Sequence, residues 1–205
     1  MNSEIIYQGA EALIFRRDNK IIKRRIKKSY RISELDEKIR EQRTRREKKI
    51  LLKASNVVNV PKVFDEEKDK FEIVLEFING EKLSEILDGF DIFKKKEIVF
   101  LLGKELAKLH NSDIIHGDLT TSNIILKEDK IYFIDFGLSF FSKKIEDKAV
   151  DIHLFKQALE AKHWKNWESL FKSFLEGYSQ ESNDFERIFE RLKKVEKRGR
   201  YKGGF

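Results

Sequence analysis

The stretch from 116 to 137 constrains this chain more than any other. His116-Gly117-Asp118-Leu119-Thr120-Thr121-Ser122-Asn123 is followed by Ile134-Asp135-Phe136-Gly137. Between them lie two short apolar runs, Ile124-Ile125-Leu126 and Ile131 to Ile134, around the polar turn Lys127 to Lys130. The pattern reads as a polar loop fastened to a hairpin whose far end delivers a second Asp. A lone Gly-Asp pair is usually a solvated turn. Two acidic residues and an Asn, in this order and beside apolar strands, ask for more than that.

Phosphoryl transfer needs one carboxylate to accept a hydroxyl proton and oxygen ligands that hold Mg²⁺ against a triphosphate. An Asp, an Asn five residues on and a second Asp at a hairpin end supply that set. The flanking strands would hold the oxygens rigid, and positioning with charge stabilisation dominates this reaction.

The rest of the chain can carry such a site. Its 205 residues allow one domain or two small lobes sharing a cleft. Hydrophobic residues are 40 %, 17 of them Phe, so a real core is expected rather than disorder. There is no Cys, which removes disulfides, thiolate metal sites and a Cys nucleophile. No apolar run reaches ~18 residues, and the start MNSEIIYQGAEA has no signal-peptide character, so no membrane association and a cytoplasmic location are expected. Lys plus Arg outnumber Asp plus Glu by 43 to 36, a formal charge of +7. That excess points to an acidic partner, nucleic acid first. A densely charged surface of the thermophilic kind explains it equally well.

Residues 5–28 read as strands with a hairpin turn at Arg17 to Lys20. Residues 33–54 read as one long, polar helix with a narrow apolar stripe, opened by a capping box of Ser33 and Asp36. Val63-Phe64 and Phe71 to Phe77 read as two more strands, and the change of character after Gly80 marks a lobe boundary. Beyond it, helices are expected at Phe93 to His110, Asp151 to Ala161, Trp164 to Tyr178 and Phe185 to Val195. The stripe Trp164, Trp167, Phe171 and Phe174 fits a core or a partner face. His110 and His116 read as packed, hydrogen-bonded residues, and His153 and His163 show no metal spacing.

HGDLTTSN and IDFG resemble the catalytic loop and metal-binding Asp-Phe-Gly of the protein-kinase superfamily. More narrowly, Tyr30-Arg31, Leu35 to Arg40, Arg43-Thr44-Arg45-Arg46-Glu47, IDFGLS, EDKAVD and the closing RGRYK look like the small atypical kinases of the KEOPS complex. The resemblance runs from about Tyr7 to Lys202. It implies an α+β, two-lobed protein-kinase-like fold: an N-terminal lobe at 1–79 with a small antiparallel sheet and a long helix, a shortened and mainly helical lobe at 80–196, and a basic tail at 197–205. It implies an ATP- and Mg²⁺-dependent Ser/Thr protein kinase or ATPase that supports threonylcarbamoyladenosine modification of tRNA. Its partners would be the tRNA threonylcarbamoyladenosine synthase subunit and other KEOPS subunits.

The same resemblance assigns roles. Asp118 would be the catalytic base, and Asn123 and Asp135 the Mg²⁺ ligands. Gly9, Ala10 and Glu11 would cover the nucleotide. Lys23 would reach the α and β phosphates, with Glu47 pairing to it from the long helix; Glu41 competes for that pairing. Leu75 would back the adenine pocket, and Glu76 and Ile78 would offer backbone groups to the base. Asp151 would anchor the catalytic loop, an ordinary helix N-cap being the alternative. Arg198, Arg200 and Lys202 in the tail would contact tRNA phosphates.

Three departures from ordinary protein kinases stand out. Gly9-Ala10-Glu11-Ala12 has one glycine where three are usual, and Glu11 adds negative charge, so weak or partner-dependent ATP handling is expected. The interval from Asp135 to Asp151 leaves no room for a long activation segment. The second lobe is short. Two other readings stay open: a small-molecule phosphotransferase of the aminoglycoside or choline kinase kind, which shares His-Gly-Asp, and a non-catalytic scaffold for tRNA and a partner protein.

Overall fold

The structure is a computed structural model and describes residues 4–9 and 11–200. Its first strands, β1 (Glu4–Gln8), β2 (Ala12–Arg17) and β3 (Lys20–Arg25), form an antiparallel meander. Arg17 pairs with Lys20, leaving Asp18-Asn19 as a two-residue turn, and Asp18 takes φ 54°. Asp and Asn tolerate that left-handed backbone better than branched residues do.

Helix α1 (Ser33–Ala54) has the bounds expected from sequence. Thr44, Glu47, Leu51 and Ala54 recur at helical spacing and are buried, which makes the narrow stripe. The expected capping box does not form. Ile32 is the N-cap and no side chain caps it. Asp36 is instead drawn inward, accepting from Arg40 Nε at 2.7 Å and from the Lys28 amide at 3.2 Å. A guanidinium one turn away is a stronger partner for a carboxylate than a free helix amide. Strands β4 (Val63–Phe64) and β5 (Glu72–Glu76) complete a five-stranded sheet in the order β1-β2-β3-β5-β4.

The chain enters the second lobe at β6 (Glu81–Lys82) and the short helix α2 (Leu83–Ile86). Helix α3 (Ile92–Asn111) follows, its N-cap Asp91 accepting from the amides of Phe93 and Lys94. Strands β7 (Ile114–Ile115), β8 (Ile124–Lys127), β9 (Lys130–Phe133) and β10 (Phe140–Phe141) carry the loop region. β8 and β9 are the hairpin expected from sequence, extended by β6. β10 pairs with β7, which the sequence did not suggest because two-residue strands leave no periodicity to read. Helices α4 (Ile145–Lys162), α5 (Trp167–Glu181) and α6 (Phe185–Arg200) close the lobe. The architecture is α+β and two-lobed, with a sheet-rich first lobe and a mainly helical second one. Among the described residues no helix is long and apolar enough to cross a membrane.

Helices α3 and α5 make the closest approach in the fold. A Cβ on Gly177 would stand 1.9 Å from the Phe100 carbonyl oxygen, and one on Gly103 would stand 2.1 Å from that of Phe174. Backbone meets backbone there because neither glycine has a side chain. The aromatic stripe belongs to this core: Phe174 is fully buried and lies 4.5 Å from Phe155 between ring centroids, and Phe171 is buried beside it. Trp164 leaves the stripe and is exposed. α6 runs five residues past the expected end. Arg191 and Arg198, two turns apart on it, both pair with Glu146 of α4, at 3.0 and 2.9 Å. That shared carboxylate gives the basic end of the helix a surface to lie on.

Asp151 in α4 fastens the 116–123 loop to this helical core. Its side chain accepts from the amides of His116 at 2.8 Å and Gly117 at 2.9 Å. It also meets His110 Nε2 at 3.1 Å, while His110 Nδ1 lies 2.8 Å from the Tyr178 hydroxyl. Burial holds the His110 imidazole below its ordinary range despite the neighbouring carboxylate. A neutral ring then donates from Nε2 to Asp151 and accepts at Nδ1 from Tyr178. For Asp151, burial pushes upward, but His110 and the His116 amide bring the carboxyl below the usual carboxylate range. Lys148 and His116 are the other charged or titratable neighbours that act on His110. Asp151 therefore does more than cap a helix, since it sits inside α4 and its acceptors are spent on another segment.

Two predictions follow from this packing. Gly177→Ala gains about 1 kcal/mol of helix propensity, but the Cβ has only the rigid Phe100 backbone to displace. The net effect is a loss of roughly 1–3 kcal/mol by overpacking, read as a lower urea midpoint. Acid also weakens the fold. The unfolded chain protonates His110 near the usual pKa of about 6.5, whereas the folded one resists until lower pH. Between those values the unfolded state binds more protons, so stability falls as pH falls, by up to about 1.4 kcal/mol per pH unit. Asp151 adds a loss of the same sign below about pH 4. Unfolding midpoints measured from pH 7.5 to 5.5 will drop for the natural chain and stay flatter for His110→Gln.

Candidate active site

The two lobes meet at a cleft of about 270 Å³ lined by Gly9, Glu11, Ala12, Lys23, Arg25, Arg43, Asp118, Asp135 and Gly137, among others. Each lining residue arrives from an element already described. Lys23 points inward from β3, where it is opposite Ile14 of β2 and Ile73 of β5. Its Nζ lies 2.6 Å from Glu47 Oε1 and 2.7 Å from Asp135 Oδ1. Glu47 rather than Glu41 is thus the helix partner; Glu41 pairs with Arg45 on the surface. The Lys23–Asp135 bond crosses from the first lobe to the second.

Charge and burial oppose each other at this pair. Burial pushes the Lys23 ammonium downward, but Glu47 and Asp135 hold it above the usual lysine range. Burial pushes Asp135 upward, and the Lys23 charge with the Gly137 amide brings it below the usual carboxylate range. Both groups stay ionised at neutral pH. Asp135 adopts φ 60°, which swings its carboxylate back over the Gly137 amide at 3.2 Å.

Asp118 and Asn123 are joined within the loop. Asn123 Nδ2 donates to the Asp118 carbonyl at 2.8 Å and to Asp118 Oδ2 at 2.9 Å. The amide oxygen of Asn123 and Oδ1 of Asp118 are left facing away from that contact. His116 braces the loop from behind: Nε2 reaches the Ile134 carbonyl at 3.1 Å, and its own carbonyl accepts from Ser139 Oγ at 2.6 Å. Gly117 takes φ 78°, and a Cβ there would stand 2.6 Å from the Leu138 carbonyl oxygen. This explains the glycine where most protein kinases have Arg: the segment after Asp135 packs against it too tightly for a side chain.

The turn that the resemblance sets over the nucleotide is narrow. Gly9 donates its amide to the Ala12 carbonyl at 3.0 Å. Ala10 lies outside the described residues. Glu11 does not leave bare negative charge over the cleft, because Arg43 of α1 meets it at 2.8 Å. Sequence reading missed both Arg43 and Arg25 as cleft residues. For Arg25 the signal was available, since it lies two residues beyond Lys23 on a strand and so faces the same way.

Glu76 and Ile78 do not line this cleft. The Glu76 amide donates to the Lys62 carbonyl at 2.8 Å, and the Ile78 carbonyl accepts from Gly80 at 3.0 Å. Those two backbone groups are therefore engaged within the protein. Leu75 is buried beside them. Of the tail residues, Arg198 is exposed and pairs with Glu146, Arg200 ends α6, and Lys202 lies outside the described residues.

The donor set suits Mg²⁺ held jointly with a polyphosphate. Among the described residues no group of three His, Cys, Asp or Glu forms a metal cage. A carboxylate from Asp135 and an amide oxygen from Asn123 match the few protein ligands that Mg²⁺ takes when phosphates and water fill the rest. Lys23, anchored on both sides, is a fixed cation at the cleft.

The sequence matches the protein kinase domain family over residues 8–157. It is 42 % identical to the KEOPS complex subunit Bud32 of Pyrococcus abyssi, across 97 % of this chain and 96 % of that one. It is 42 % identical to the probable serine/threonine-protein kinase BUD32 homolog of Archaeoglobus fulgidus, across 96 % and 95 %. A probable bifunctional tRNA threonylcarbamoyladenosine biosynthesis protein of Methanobrevibacter smithii is 39 % identical across 96 % of this chain, which spans only 36 % of that longer protein. Phosphotransferase chemistry with ATP is the common property of the kinase family, and the chain belongs to that family's Bud32 branch.

Proposed function

We propose that this chain uses Mg²⁺ and ATP as the kinase-type subunit of a KEOPS assembly, supporting threonylcarbamoyladenosine modification of tRNA. The kinase-type activity follows from the family. The assembly and the tRNA pathway rest on the names of relatives that match nearly the whole chain. The observation that carries the chemistry is the convergence of Lys23, Asp118 and Asp135 on one cleft, with Asn123 bonded to Asp118.

The chain's own residues divide the work as follows. Lys23, held by Glu47, binds and orients the phosphates. Asp135 and the Asn123 amide oxygen hold Mg²⁺, which when bound offsets the negative charge of the phosphates. Asp118 takes the proton of the attacking oxygen at Oδ1, because Oδ2 is held by Asn123. A protein hydroxyl and a water molecule present the same proton to the same atom, so kinase and ATPase activity share this site. Gly9, Ala10 and Glu11 cover the nucleotide, with Arg43 offsetting Glu11. Glu76 and Ile78 serve the adenine edge through the backbone groups not already engaged.

Basic residues at the end of α6 and beyond it are the tRNA contact. An exposed pair such as Arg198–Glu146 is worth no more than about 1 kcal/mol, so Arg198 can exchange it for a phosphate. Arg200 and Lys202 extend the same basic run.

Asp118→Asn will lower ATP turnover by about 10²–10⁴-fold in the assembled complex and leave ATP affinity within a few-fold. Turnover equal to the natural chain would remove Asp118 as the base. Deleting residues after Lys197 will spare nucleotide binding and weaken tRNA binding. The deficit will be largest at low salt and shrink as salt rises, because counterion release drives such contacts. Filter binding at several salt concentrations measures it, and equal affinity of the two chains at low salt would reject the tail as a contact.

A further inference from the structure

Lys23 and Arg25 leave β3 on the same face and end on the same carboxylate. Lys23 Nζ takes Glu47 Oε1 at 2.6 Å, and Arg25 Nη2 takes Oε2 at 2.5 Å. Glu47 is 1 % exposed and Arg25 5 %. Two buried cations on one buried anion leave one positive charge in surplus. Asp135 Oδ1, at 2.7 Å from Nζ, is what meets that surplus in this structure.

Arg25 is also incompletely satisfied. Its Nε is buried and has no hydrogen-bond partner. An unmet donor at low dielectric is unfavourable, so its presence needs a reason in the site it borders. That site is open beside it. Arg25 lines the interlobe cleft with Lys23, Asp135 and Gly137. A Cβ on Gly137 would stand 3.0 Å from Asp135 Oδ1, 3.3 Å from Lys23 Nζ and 3.6 Å from Arg25 Nη2. The glycine leaves free the space at which both cations converge.

We propose that Arg25 is a positioning residue for polyphosphate binding. By holding the second oxygen of Glu47, it keeps that carboxylate from cancelling Lys23, so the trio stays net positive for the phosphates when Asp135 turns from Lys23 to Mg²⁺. The proposal rests on the nucleotide-site reading above and deepens it. A Lys–Glu pair alone is neutral and would fix Lys23 at the expense of its pull on an anion. Adding Arg25 separates the two tasks: Glu47 orients, and the charge that remains binds. Arginine suits the position because its guanidinium stays ionised when buried. Ala12, opposite Arg25 on β2, leaves room for the long side chain.

The test is calorimetric titration of the full chain in Mg²⁺ buffer with ATP, inorganic tripolyphosphate and adenosine. It is run on the natural chain, Arg25→Met, Arg25→Lys and Lys23→Met, with thermal unfolding recorded for each. Arg25→Met is expected to weaken ATP and tripolyphosphate about tenfold, about 1.4 kcal/mol, with adenosine affinity within twofold. Arg25→Lys is expected to recover most of the loss, because charge rather than packing is at issue. Three results overturn the proposal: unchanged tripolyphosphate affinity in Arg25→Met, equal loss of adenosine and tripolyphosphate, or Arg25→Lys no better than Arg25→Met. Should Arg25→Met not fold, Arg25→Gln enters the same comparison with Arg25→Lys. Lys23→Met separates the layers. If it retains full ATP affinity, the nucleotide-site reading itself falls. If it loses ATP while Arg25→Met does not, only the role of Arg25 falls.

Discussion

The bond between Lys23 and Asp135 ties the two lobes together at the interlobe cleft. It joins β3 of the first lobe to the residue after β9 of the second, and Glu47 of α1 backs it. Such a cluster is a poor investment in stability. Glu47 with Lys23 and Arg25 is its buried part, where each ion loses hydration and apolar replacements are often neutral, while Asp135 is half exposed and screened by solvent. Burial disfavours the charged form of Lys23, and less so that of the half-exposed Asp135, yet their neighbours favour both charges. The cluster sets fixed charges of both signs within one hydrogen bond of each other at the cleft.

The second lobe solves a different problem, that of holding a polar loop still. Asp151 spends its carboxylate on the amides of His116 and Gly117, so the loop backbone is fixed from inside the helical core. His110 and Tyr178 then hold Asp151 in turn. That chain of bonds runs from α5 through α3 and α4 to the loop. The glycine contact between α3 and α5 sets how close those helices stand, and through Tyr178, His110 and Asp151 that packing is connected to the backbone of His116 and Gly117.

How much of this could be read in the sequence depended on the range of the interaction. Local signals were legible: the bounds of α1, the β8–β9 hairpin, and the loop with its Asp, Asn and second Asp. The pairing of Lys23 with Glu47 was legible only through resemblance, since a lysine in Lys23-Arg24-Arg25 has no local mark of burial. The Ser33–Asp36 cap was misread because Arg40, one turn away, outcompeted a helix amide for the carboxylate. The extension of α6 was hidden because Arg191 and Arg198 are organised by Glu146, over forty positions away. Arg43 was hidden for the same reason, as its partner Glu11 sits on a separate hairpin. Glu76 and Ile78 were assigned by resemblance, and sequence had no means of showing that their amide and carbonyl were already engaged.

The short segment after Asp135 bears on how such a site is controlled. Ser139 Oγ bonds the His116 carbonyl, Phe140 and Phe141 pair with Ile115 and Ile114, and the Ser142 amide donates to the Asp113 carbonyl. Lys53 of α1 stands 4.9 Å from the centre of the Phe141 ring. Within a few residues of Asp135 the chain is therefore stitched to the catalytic loop on one side and rests on α1 on the other. α4 begins at Ile145, so little length remains for a loop that phosphorylation could order. In a longer kinase segment, added phosphate creates the contacts that position the site. Here backbone pairing already supplies them. The segment leaves two features of the cleft unfixed by its own contacts: the turn with its Glu11–Arg43 pair, and the charge balance around Glu47.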